Sequence, residues 1–213
     1  MLTAIEALAR LQRGNERYVN NTGGRVATGE RRREQLLAGQ EPFAIILGCS
    51  DSRVPAEIVF DQGLGDLFVI RVAGNIVAPS LIGSVEFAAA KFGTRLVVVL
   101  GHSQCGAVTA TVEQLQQPSP ERSPNLASIV DRIEPVVATL METELRDDPD
   151  ALLHHAIRAN VRSSVNQLRR GSALLESLIE RDGLLIVGAE YLLETGEVDF
   201  FDIPADAENL QPH

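Results

Sequence analysis

Apolar residues recur along this chain in two rhythms. Between residues 3 and 19, Ile5, Leu8 and Leu11 fall at helical spacing among Glu6, Arg10, Arg13 and Arg17, which predicts an amphipathic helix lying on a larger body. Further on come unbroken apolar runs too short for helices: Phe43 to Leu47, Leu67 to Ile70 within Asp66 to Arg71, Leu96 to Leu100, and Leu184 to Ala189. Runs of this kind read as strands buried on both faces. Helical patterns separate them over 80–92, ending at Gly93, then over 106–114, 126–144 with a break expected at Pro135, 150–168 and 173–181. Asn20 to Gly29 reads as loop, followed by a short charged helix ending near Gly39, and the three prolines between Gln116 and Asn125 mark a surface loop. Thr195-Gly196 turns the chain into Glu197 to Phe201, which completes an antiparallel edge pair. Buried strands alternating with helices predict an α/β fold, a mostly parallel central sheet with an antiparallel edge strand and flanking helices. In such sheets ligands collect beyond the carboxyl ends of the strands.

Composition narrows the class. A chain of 213 residues with 45% hydrophobic and 23% charged positions fits one globular domain over 1–213, with a helical arm at 1–39 and a polar tail at 202–213. The net charge of −10 and pI near 4.9 argue against a nucleic-acid partner. Arg31, Arg32 and Arg33 lie between Glu30 and Glu34 and read as a solvated helix face. Met1 to Glu6 lacks the basic lead of a secretory signal, and no apolar run reaches membrane-spanning length, so a cytoplasmic protein without a membrane partner is expected. Two cysteines in a reducing compartment call for an explanation other than a disulfide.

Two stretches supply it. Gly48-Cys49-Ser50-Asp51-Ser52-Arg53-Val54-Pro55 follows the first apolar run, and Gly101-His102-Ser103-Gln104-Cys105-Gly106 follows the third. Catalytic zinc commonly takes three sulfur or imidazole ligands and leaves a fourth position for water. Cys49, His102 and Cys105 are such a set, and soft thiolates favour zinc over magnesium or calcium. Asp51 either takes the fourth position or accepts a hydrogen bond from metal-bound water. The planar fork of Arg53 is suited to holding that carboxylate off the metal. The glycines at 48, 101 and 106 serve as turn residues and allow close backbone approach to a metal. His154 and His155 sit in a predicted helix away from both stretches and read as surface or interface packing. Gly63-Leu64-Gly65 lacks the spacing and the lysine of a phosphate loop.

CSDSRVP followed by GHSQCGAV resembles the two signature motifs of the β-class carbonic anhydrases. The likeness extends to Leu8, Leu11, Gly14, Asn15, Arg17 and Tyr18, to the run Gly65 to Asn75, and to the closing strand pair, so it spans nearly the whole chain. It implies one zinc per subunit on Cys49, His102 and Cys105, a catalytic dyad of Asp51 and Arg53, and reversible hydration of carbon dioxide to bicarbonate and a proton. It also implies a homodimer or dimer-based tetramer, with the N-terminal helix crossing to the partner and the active sites at that interface. Gln40 and Phe68 match positions that line the substrate pocket in plant-type members, sometimes across the dimer, and Val72 adds apolar wall. Phe87 stands where those members usually have tyrosine. A second group of members has a regulatory bicarbonate site with a tryptophan where this chain has Ile46. Arg71 matches that site's arginine, but the chain has no tryptophan, so no such site is expected and Arg71 reads as structural. Metal coordination lowers the pKa of bound water from roughly 16 toward about 7, and two thiolates make the ion a poorer Lewis acid, so activity climbing toward alkaline pH is expected. Two other readings stand beside this one. The same site in a hydrolase would act on carbonyl sulfide or carbon disulfide, and in a zinc-stabilised structural protein Asp51 would close the metal permanently.

Overall fold

The computed structural model describes residues 2–23, 29–118 and 123–204. In chain order the elements are α1 (Ala4–Val19), α2 (Glu30–Leu36), β1 (Ala44–Gly48), α3 (Ala56–Val59), β2 (Leu67–Arg71), α4 (Pro79–Lys91), β3 (Leu96–His102), α5 (Gly106–Gln116), α6 (Pro124–Met141), α7 (Pro149–Arg170), α8 (Ala173–Asp182), β4 (Leu185–Tyr191) and β5 (Val198–Asp202). The five strands form one sheet in the order β2-β1-β3-β4-β5. β1 to β4 run parallel, and β5 pairs antiparallel with β4, as the turn at Thr195-Gly196 predicts.

Alternate residues of the strands feed two apolar layers, because successive side chains of a strand point to opposite faces. On one face Ile46, Val98, Leu100 and Val187 pack with Leu8 and Leu11 of α1 and with Val59 and Phe60 around α3. On the other, Ile45, Leu47, Val97, Val99 and Ile186 pack beneath Val85 of α4, Val161 and Val165 of α7, and Leu175 of α8. A third cluster gathers past the strand ends, where Cys49 and Cys105 meet Ile76, Val108, Ile133, Val137, Ala156 and Ile157.

Helix α1 opens on a capping box, with Thr3 Oγ accepting from the Glu6 N–H while the Glu6 carboxylate accepts from the Thr3 N–H. The helix is seated on its own chain's sheet. Burying Leu8 and Leu11 stabilises that seat by roughly 1.5–3 kcal/mol each. Asn15 Nδ2 donates to the carbonyls of Val59 (3.1 Å) and Gly196 (2.8 Å), and its Oδ1 accepts from the Val198 N–H (2.9 Å). Gly14 permits the approach, since a Cβ there would stand 1.9 Å from the Phe60 carbonyl oxygen.

Three expectations change. β2 is an edge strand with partly exposed Phe68 and Val69 and an exposed Arg71, so its apolar run does not mean burial on both faces. Helix α6 runs unbroken through Pro135, which lies on its exposed side. Asp202 ends β5 rather than opening a tail, and 205–213, like 119–122 in the proline-rich loop, lies outside the described residues. Among the described residues no helix is long and apolar enough to cross a membrane.

Candidate metal centre

β1 delivers Cys49 from its carboxyl end, while the neighbouring β3 carries His102 as its last residue. Three residues later Cys105 stands at the amino end of α5, where the helix dipole and the backbone N–H groups of Ala107 and Val108 favour a thiolate. The ligand atoms of the three residues lie within 4.8 Å of one another, and all three residues are buried. Neither cysteine is in a disulfide.

The donor set is prepared for a cation. His102 Nδ1 lies 2.8 Å from the Ser103 carbonyl, to which it donates, so the lone pair is on Nε2. That Nε2 is buried and has no hydrogen-bond partner, which is what a metal-ligating nitrogen looks like before its ion is counted. The Gly74 N–H donates to Cys49 Sγ at 3.4 Å. The neighbouring Cys105, outweighing burial, and then His102 and the backbone pull the Cys49 thiol down to about 4. With that first thiolate beside it, Cys105 is pushed well above its ordinary value, so a second negative charge needs a cation between them. Two sulfurs and one imidazole nitrogen, with no further ligand in the group among the described residues, make a zinc site.

Asp51 stands beside this triad without belonging to it. Its Oδ1 accepts from Arg53 Nε (2.9 Å) and from the Arg53 backbone N–H (2.9 Å), and its Oδ2 accepts from Arg53 Nη2 (2.7 Å). Oδ2 is also 3.9 Å from His102 Nε2, so the carboxylate faces the metal position while the guanidinium holds both of its oxygens. The Arg53 side chain is the main cause that keeps this carboxyl well below the usual carboxylate range. Arg71 does structural work: it donates through Nε to the Cys49 carbonyl (2.9 Å) and through Nη2 to the Asp51 carbonyl (2.5 Å), fixing the turn that carries ligand and acid.

The four pocket residues expected from the sequence divide. Val72 packs against the cluster that contains Cys49 and Cys105. Phe68 pairs in register with Ile45, four residues before Cys49, which at about 3.3 Å per residue is roughly 13 Å back along the sheet. Phe87 is 52% exposed and joins Phe68 and Phe92 in an aromatic group at that edge, with ring centroids 6.2 and 5.6 Å away. Gln40 lies at the opposite end of β1 from Cys49, in a cleft shared with Leu2, Arg10, Phe43 and Phe92. Gln40, Phe68 and Phe87 therefore do not meet this chain's own metal centre. His154 and His155 are exposed on α7 with their rings in edge contact.

Gly101 has a reason that sequence did not supply. A Cβ there would stand 2.5 Å from Val161 Cγ2, so it lets α7 lie close on β3, whereas a Cβ at Gly106 would meet nothing within 4 Å. Gly74, missed from sequence, acts through its backbone N–H on Cys49 Sγ, and nothing in a side-chain pattern points to such a contact; Arg71, read from sequence as structural, has that role through its guanidinium.

The carbonic anhydrase family model matches residues 44–198. Carbonic anhydrase 2 of Mycobacterium tuberculosis is 36% identical over 192 residues, covering 90% of each chain. The carbonic anhydrase of Mycolicibacterium smegmatis is 36% identical over 195 residues, covering 92% of each. Among solved structures, the β-carbonic anhydrase CcaA superposes with a TM-score of 0.72 at 26% identity, over 94% of this chain and 93% of that one. The matched region takes in both ligand-bearing stretches and the whole sheet from β1 to the start of β5, and this chain accordingly belongs to the carbonic anhydrases, in the β class.

Proposed function

We propose that Asp51 and Arg53 are the catalytic dyad of this zinc-dependent carbon dioxide hydratase, and that its working unit is a homodimer or a tetramer built from dimers. The observation that carries the first part is the bidentate hold of Arg53 on Asp51, which leaves three ligands around the metal and a position for water. When bound to Cys49, His102 and Cys105, zinc supplies the Lewis acidity that makes water a nucleophile near neutral pH. Asp51 then has a defined task. Held ionised by Arg53, it accepts a hydrogen bond at the metal face but does not take up a proton at neutral pH, so it orients rather than acts as base. Val72, with Ile76 and Val108 in the same cluster, offers apolar wall to carbon dioxide.

The second part rests on where Gln40, Phe68 and Phe87 lie. All three sit away from their own metal, beside an edge strand whose aromatic group is partly open. A second copy of the chain across that edge would bring them to the first copy's pocket and cover the open aromatic surface. A reducing cytoplasm would keep both ligand thiols available.

Metal analysis with a carbon dioxide hydration assay on the wild type, Cys49→Ser and Asp51→Ala tests the chemistry, with carbonyl sulfide and carbon disulfide assayed alongside. The expected outcome is one zinc and hydration activity in the wild type, loss of metal in Cys49→Ser, and metal without activity in Asp51→Ala. A wild type that holds zinc but hydrates no carbon dioxide would sink the reading. Mixing Cys49→Ser with Gln40→Ala chains tests the assembly, and recovery above either parent is expected if Gln40 serves the partner's site.

A further inference from the structure

His102 and Cys105 are separated only by Ser103 and Gln104, and both intervening side chains are held by one carboxylate from outside the loop. Ser103 Oγ donates to Glu194 Oε2 at 2.9 Å, and Gln104 Nε2 donates to Glu194 Oε1 at 2.7 Å. Ser103 is fastened twice more, its N–H donating to the Tyr191 carbonyl and its Oγ accepting from the Leu193 N–H, each at 2.9 Å. Gln104 has φ of 56°, in the left-handed region that a non-glycine residue keeps only where its surroundings demand it. In that conformation its carbonyl accepts from Arg53 Nη2 at 3.4 Å. One carboxylate is thus connected, through two neighbouring residues, to two metal ligands and to the arginine that holds Asp51.

The turn that carries Glu194 does not need this side chain in order to form. It is closed by its own backbone, with the Leu192 N–H donating to the Glu197 carbonyl and the Gly196 N–H to the Leu192 carbonyl, both at 2.8 Å. Glu194 itself is exposed, so no apolar packing depends on it. We propose that Glu194 is a positioning residue for the metal centre: its carboxylate holds Ser103 and Gln104 so that His102 and Cys105 stay in ligating position and the Gln104 carbonyl stays turned to Arg53. Charge-assisted bonds suit the task, being shorter and stronger than neutral ones. The inference rests on the zinc reading of the triad.

The test compares zinc-loaded full-length wild type, Glu194→Ala, Glu194→Gln and, as a control, Glu197→Ala. The readouts are the rate of zinc release to a chromophoric chelator, the absorption spectrum of the cobalt-substituted protein, kcat and KM for hydration, and the thermal midpoint of the zinc-free chains. Loss of a partner that orients metal ligands typically costs about 10–100-fold in affinity or activity. Glu194→Ala should therefore release zinc about 10–100-fold faster, shift the cobalt bands and lower kcat more than it changes KM. Glu194→Gln should recover most of the difference, since its amide oxygen accepts from Gln104 and its N–H can donate to Ser103 Oγ. Glu197→Ala should match the wild type, and the zinc-free midpoints of all four should agree. Wild-type zinc release and an unchanged cobalt spectrum in Glu194→Ala would overturn the proposal. So would a Glu194→Gln variant as impaired as Glu194→Ala, with both losing zinc-free stability, because the role would then be one of folding alone. A wild type that binds no zinc would instead overturn the functional reading on which the proposal stands.

Discussion

Placing a methyl group at Gly101 tests how the scaffold sets the metal centre. Its Cβ would fall 2.5 Å from Val161 Cγ2, against about 3.5–4.0 Å for an ordinary carbon contact, so roughly 1 Å must open between β3 and α7. Val161 has no easy way to turn aside. It is fully buried, and its other methyl already lies 2.9 Å from where a Cβ on Gly188 would be. Overpacking of this kind costs about 1–3 kcal/mol, and the displaced residue is the immediate neighbour of His102. Val161→Ala by itself removes two buried methyl groups and should cost about 2 kcal/mol, counting both transfer and cavity terms. If the clash is the cause, Gly101→Ala with Val161→Ala together should cost no more than about 2 kcal/mol, well short of the additive total of about 3–5 kcal/mol. Urea unfolding of the four proteins measures the coupling, and zinc content under a competing chelator reports the site. Gly101→Ala should lose zinc more readily than the wild type, and the double variant should regain it. Costs that add to within about 0.5 kcal/mol, or a Gly101→Ala protein as stable as the wild type, would refute the reasoning.

Three other outcomes follow from the geometry. Arg53→Ala removes both side-chain hydrogen bonds to Asp51 and should keep zinc while losing about 10–100-fold in hydration rate, with Arg53→Lys between because it keeps the charge without the fork; loss of zinc or an unchanged rate in Arg53→Ala would count against the dyad. Asn15→Ala leaves the buried Val59 and Gly196 carbonyls and the part-buried Val198 N–H without this partner, at about 1–3 kcal/mol per buried group, so urea unfolding should show a loss of about 2–6 kcal/mol, and one below about 1 kcal/mol would mean α1 is not fastened there. Burial pushes the Glu190 carboxyl up, against the charges of His154 and Arg158, while Asp199 beside Arg158 adds to the rise. The folded state then holds that proton to higher pH than the unfolded state, whose carboxylate titrates near about 4.3, so stability falls as pH rises through the folded value. Glu190→Gln lacks this loss, and its thermal midpoint relative to wild type should climb as pH rises above the unfolded carboxylate range of about 4.3; a constant or shrinking difference would be the contrary result.

Much of the architecture is legible along the chain because each strand of the sheet's interior is a short apolar run. Ala44–Gly48 and Leu96–His102 are covered on both faces, so period-two alternation is absent and the run itself is the signal. The same signal misleads at Leu67–Arg71, since an edge strand with aromatic residues reads like an interior one until its neighbours are known. Helix α3 escapes for the opposite reason, as four residues carry too little periodicity to register. Pro135 suggests a break because its ring removes a helical hydrogen bond, but on an exposed helix face that loss can be made good by water.

The ligands Cys49, His102 and Cys105, with Asp51 and Arg53 beside them, are set by sequence alone, because residue type and position at strand ends suffice to nominate them. Tertiary structure decided what no linear pattern encodes. It placed Gln40, Phe68 and Phe87 away from their own metal, because position along a strand becomes distance only once the register is known. It seated α1 on its own chain through Asn15, and showed that Gly101 answers to Val161 across the α7 contact. It also brought Glu194 to Ser103 and Gln104, some ninety positions away in the chain. Contacts of this kind depend on which strand lies beside which, and β4 comes to lie beside β3 only when the sheet is assembled.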